Sequence, residues 1–68
     1  MELEKFVLLQ RRARGWNQEE LANRAQVTRM TIYRIEAGEN VNVLTAEKIL
    51  AALGFALPEP VKIEGWEP

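Results

Sequence analysis

The chain has 68 residues, of which 47 % are apolar and 28 % charged, and its nine basic and ten acidic groups leave a net charge of -1. This is the composition of one small globular domain rather than of a disordered segment, with a core marginal enough that dimerisation would add usefully to stability. With no Cys and no His, a disulfide framework and any Cys- or His-ligated metal site are excluded, and no apolar run is long enough to cross a membrane.

The opening MELEKFVLLQ carries no basic region ahead of its apolar residues, so it does not read as a signal peptide, and a cytoplasmic location is expected. A first helix is expected over residues 3–14. Leu3, Phe6, Val7 and Gln10 share one side, Leu8 and Leu9 widen the apolar stripe, and Gly15 stops it. Trp16 should fold back over the core. Asn17 followed by Glu20 has the spacing of a capping box, which opens a second helix over residues 18–25. Its buried face is Leu21, Ala22 and Ala25, and the small alanines permit close approach by a neighbouring helix.

Gln26 and Val27 make a brief break. Thr28 then caps a third helix, expected to run to about residue 37, with Ile32 and Ile35 inward and Gly38 as its stop. Two helices so closely joined cross steeply. A fourth helix follows, with Asn42 and Thr45 as rival caps. It carries Val43, Ala46, Ile49, Leu50 and Leu53 at helical spacing and ends at Gly54. The inward positions predict a core centred on Leu21, Ala22, Val27, Ile32, Ile35, Ile49, Leu50 and Leu53. Residues 1–55 thus form one all-α, compact four-helix domain. Residues 56–68 form an extension in which Pro58 and Pro60 forbid regular helix, while Val61, Lys62, Ile63 and Glu64 alternate as in a short strand.

Charge is distributed unevenly. Arg11, Arg12, Arg14, Arg24, Arg29 and Arg34 lie in the first half, whereas the segment after Gly54 carries Glu59, Glu64 and Glu67 against Lys62 alone. A nearly neutral chain therefore has the means to present a basic face.

The string NQEELANRAQVTRMTIYRIEAG, residues 17–38, resembles the helix-turn-helix of Cro and the phage repressors, a family that also includes restriction-modification controllers and antitoxins. Gln18, Leu21, Ala22, Val27, Ile32, Ile35, Glu36 and Gly38 carry most of the match, and Gly15, Arg11 and the closing ILAALG agree with it. The likeness covers residues 3–55. Many relatives have Gly where this chain has Gln26, a place where the backbone needs an unusual conformation. The tail resembles, more weakly, the strand that follows the four helices of HipB-type antitoxins.

The resemblance implies that the third helix enters the major groove of double-stranded DNA while the second lies across the backbone. Base contacts are then expected from Arg29, Met30, Thr31 and Arg34, since Arg can pair with guanine and Met or Thr can meet the thymine methyl. Backbone contacts are expected from Asn17, Gln18, Thr28, Tyr33, Asn40 and Asn42. For Gln18 the free amides at a helix start already attract phosphate. Arg11 and Glu36 are implied to form a structural ion pair between the first and third helices. Arg12 and Arg14 read as ordinary solvated charges. Phe6, Trp16 and Phe55 read as packing groups, not as bases' stacking partners.

The function implied is that of a sequence-specific transcriptional regulator, a repressor binding pseudopalindromic operators as a homodimer. Either the tail, through Val61, Ile63 and Trp66, or a helix-end contact through Leu44 and Phe55 would join the protomers. The alternative is a protein-interaction module or an antitoxin that meets a toxin outside the third helix. An enzyme is not expected: no ordered acid–base pair is evident, there is no Ser, His or Cys, and the glycines form no phosphate loop. No cofactor, metal or membrane partner is implied.

Overall fold

The computed structural model describes residues 2–55. The expected strand over residues 61–64 and the dimer candidates Val61, Ile63 and Trp66 lie outside the described residues. Within them are four helices, α1 (Leu3–Ala13), α2 (Gln18–Ala25), α3 (Arg29–Glu36) and α4 (Val43–Ala52). The fold is all-α.

Three of the helices begin at a side-chain cap. Asn17 Oδ1 accepts from the Glu20 N–H at 2.8 Å, and Glu20 reaches back to the Asn17 N–H, completing a capping box on α2. Thr28 Oγ1 accepts from the Thr31 N–H at 3.2 Å, which starts α3. Asn42 Oδ1 accepts from the Thr45 N–H at 2.8 Å, so Asn42 caps α4 and Thr45 sits one turn inside. Each cap satisfies an amide that the helix itself leaves without a partner.

All four helices also stop in the same way. A residue with positive φ follows each one, Gly15 (φ 70), Gln26 (φ 58), Gly38 (φ 86) and Gly54 (φ 94). At each stop the next backbone N–H turns back onto the last turn: Trp16 onto Arg11, Val27 onto Ala22, Glu39 onto Arg34 and Phe55 onto Leu50. These bonds occupy carbonyls that would otherwise be orphaned. Gln26 fills this left-handed position without the freedom of glycine, and it does so in the turn that sets α2 against α3.

The core is Leu3, Val7, Leu21, Ala22, Ala25, Ile32, Ile35, Ala46, Ile49, Leu50 and Leu53. α2 packs on both α3 and α4, and α1 packs on α3. Leu21, in the middle of α2, is fully buried. Truncating such a side chain costs about 2–5 kcal/mol, a large share of what a domain of this size possesses. Two expectations change. Val27 is half-buried at the rim rather than central, because it is the turn residue itself. Leu9 does not widen the buried stripe: it is 51 % exposed, since it lies across α1 from Leu3 and Val7. Phe55 is exposed as well, and rests edge-on against Phe6 with ring centroids 5.0 Å apart.

Candidate nucleic-acid interface

The sequence of α3 divides cleanly by periodicity. Ile32 and Ile35 are buried and fix the helix to the core, while Arg29, Met30, Tyr33 and Arg34 are exposed. Met30 is 50 % and Tyr33 54 % accessible, too open for either to be a core filler. Thr31 is half-buried, and its hydroxyl lies 2.9 Å from that of Thr28, so the two threonines bind each other at the helix start. Arg29 occupies the first position of α3, and the first turn holds no acidic residue. A cation there opposes the helix dipole and weakens the isolated helix. It also adds a full positive charge to the partial one that the free amides already place at this end of α3.

What holds α3 in place is a polar junction of three helices. Arg11 of α1 binds Glu36 of α3 through two bonds, Nε to Oε2 at 2.7 Å and Nη2 to Oε1 at 3.0 Å, with the two side chains only 11 % and 7 % exposed. The third donor of Arg11, Nη1, reaches the Trp16 carbonyl at 2.8 Å, in the turn ahead of α2. Gln18 Nε2 donates to Glu36 Oε1 at 3.1 Å. One carboxylate is therefore held from α1 and from α2 together. Such charge-assisted, two-pronged pairing fixes direction as well as distance. Among the described residues no buried side-chain nitrogen or oxygen lacks a partner.

The expected backbone contacts fall into three groups. Asn17 and Asn42 are exposed but spend their side-chain oxygens on caps, and Thr28 does the same. Gln18 is half-buried and gives one of its amide N–H groups to Glu36, while the first backbone N–H groups of α2 have no carbonyl partner within the helix. Tyr33 and Asn40 are exposed, one on α3 and the other in the loop after it. Of the helix-end dimer candidates, Leu44 is 69 % exposed and Phe55 38 %.

Two arginines have roles that composition did not reveal. Arg14 is not simply solvated: it donates to the Gln10 carbonyl and side chain at 2.8 Å each and, through Nη2, to the Leu53 carbonyl at the end of α4. Arg24 lies 4.3 Å over the Trp16 ring, and Arg14 stands at 5.7 Å from it. The Gln10–Arg14 spacing of one helical turn was the available signal for the first; nothing in the sequence marks the second.

A family model for the Cro/C1-type helix-turn-helix matches residues 8–59. The chain belongs to that family, whose domain is one of DNA-binding regulators and is not typically enzymatic. No match is found among curated proteins. Among the described residues, no helix is long and apolar enough to cross a membrane.

Proposed function

We propose that the chain is a cytoplasmic transcriptional repressor that binds a pseudopalindromic operator as a homodimer, reading double-stranded DNA with α3. The observation that carries this reading is the outward face of α3. Arg29, Met30, Tyr33 and Arg34 are exposed, with no side-chain hydrogen bond or ion pair among the described residues, while the helix beneath them is anchored by Ile32, Ile35 and the Glu36 junction. A rigid support under a freely presented set of donor and apolar side chains is what base readout requires. Arg29, Met30, Thr31 and Arg34 are the proposed base-reading set, with Tyr33, Asn40 and the N-terminus of α2 on phosphate and sugar. A two-fold pair would place two short helices on successive major grooves, and Leu44 and Phe55 are the described residues proposed for that contact. A toxin as an additional partner rests on family likeness alone.

Selection of the full chain against randomised duplexes, followed by sedimentation of the protein with the enriched duplex, tests this directly. The expected outcome is an inverted repeat bound by two protomers. A folded Arg29→Ala/Arg34→Ala variant with unchanged affinity and base preference would refute the use of α3, and a specific complex containing one protomer would refute the dimer.

A further inference from the structure

We infer that the operator is recognised through guanines and C5-methyl groups, not through adenine or cytosine edges; this rests on α3 being the reading helix, and it adds the base chemistry. Each base edge in the major groove needs a particular partner. Adenine is fixed by the paired donor and acceptor of an Asn or Gln amide, cytosine by a carboxylate, guanine by a two-pronged donor, and thymine by apolar contact with its methyl. The exposed face of α3 carries Arg29, Met30, Tyr33 and Arg34, and so offers no amide and no carboxylate. The acid of α3, Glu36, is held by Arg11 and Gln18 and is turned away from solvent.

The neighbouring amides lie off α3, and three of them already hold a bond. Asn17 and Asn42 cap α2 and α4 through their oxygens, and Gln18 gives an amide N–H to Glu36. Gln26 is in the turn before α3 and Asn40 in the loop beyond it. The hydroxyls of Thr28 and Thr31 face each other, and Tyr33 has a single hydroxyl, which gives one bond rather than a matched pair. For paired contacts, what remains on α3 is donor-only and apolar. Two guanidinium groups suit the O6 and N7 acceptors of guanine, and the Met30 thioether chain, half exposed between them, suits a methyl.

The test uses the enriched duplex from the selection and the full chain, read by fluorescence anisotropy. Thymines are replaced one at a time by deoxyuridine, guanines by 7-deazaguanine and adenines by 7-deazaadenine. At least one guanine replacement should weaken binding by about fivefold or more, as loss of part of a two-pronged contact predicts. At least one thymine replacement should cost about fourfold, the value of one buried methyl group, and that penalty should vanish in Met30→Ala. Adenine replacement should be silent in the major-groove positions. A duplex whose specific binding depends on adenine N7, or on neither guanine N7 nor any thymine methyl, would overturn the inference while leaving α3 readout intact. Failure to enrich any sequence would overturn both.

Discussion

Gln18 Nε2 sits 3.1 Å from Glu36 Oε1, so the first residue of α2 is tied to the last residue of α3. Whatever it meets outside, this side chain is also an internal strut. Gln18→Ala should lower stability by about 1.5–3 kcal/mol, the range for a hydrogen bond to a charged acceptor, measured by urea unfolding. It should weaken complexes with all duplexes alike, because it loosens the angle between α2 and α3 without removing a base contact.

The Arg11–Glu36 pair makes a sharper demand. Arg11→Met leaves a largely buried carboxylate with Gln18 as its remaining side-chain donor, and should cost about 3–5 kcal/mol. Arg11→Met combined with Glu36→Leu should recover part of that loss, since no unpaired charge remains. Thermal unfolding followed by circular dichroism compares the two; a double variant no more stable than the single one contradicts this account.

Gln26→Gly should raise stability by up to about 1 kcal/mol. Relief of a left-handed side-chain conformation is worth roughly 1–2 kcal/mol, and the freer unfolded chain takes part of it back. Gly38→Ala should do the reverse, because φ is 86° there, a conformation that a side chain strains; the Glu4 carboxylate near the added Cβ can swing aside. Denaturant midpoints of the two variants should move in opposite directions.

Glu4 carries a pH signature. Its carboxyl titrates above the ordinary value because it shares a hydrogen bond with the Glu2 carboxyl, is partly desolvated and is repelled by the Glu2 charge, with Lys5 opposing. The folded state therefore holds this proton more tightly than the unfolded chain does. Its contribution to stability is present at low pH and is lost as pH rises through the folded value. The difference in stability between the parent and Glu4→Gln should thus vary with pH across the upper carboxylate range and be flat at neutrality and above. Unfolding curves at a series of pH values check the sign.

Salt should separate the roles of Arg29 and Arg34. Where an arginine pairs with guanine, its replacement by Ala should cost about 1–3 kcal/mol and relax preference at one base pair. Where it grips phosphate, the loss should be even across sequences and the salt dependence should fall by about one unit of slope. Titrations at several salt concentrations with matched and altered duplexes assign each residue.

The sequence revealed what backbone chemistry announces locally. Asn17 with Glu20, Thr28 and the three stopping glycines each act within one helical turn, and their helices begin and end where those residues require. The division of α3 into Ile32 and Ile35 beneath and Arg29, Met30, Tyr33 and Arg34 above was also legible, because one periodicity determines both faces. Less could be read where a contact joins distant positions. Gln18 to Glu36 and Arg14 to Leu53 span different helices, and a flexible polar side chain has no pattern that names its partner. Leu9 was misread for a related reason: an apolar residue beside a buried stripe looks the same in sequence whichever side of the boundary it falls on.

Arg14 closes the end of α1 onto the end of α4, and two residues beyond that carbonyl Phe55 leans on Phe6 of α1. The end of α4 and the residues just after it are therefore braced twice from α1, once by a cation on a carbonyl and once by ring on ring. A shift of α1 would be felt at Leu53 and Phe55 and, through Arg11, at α3 as well, so that one helix serves as the common frame of reference for the end of α4 and for α3.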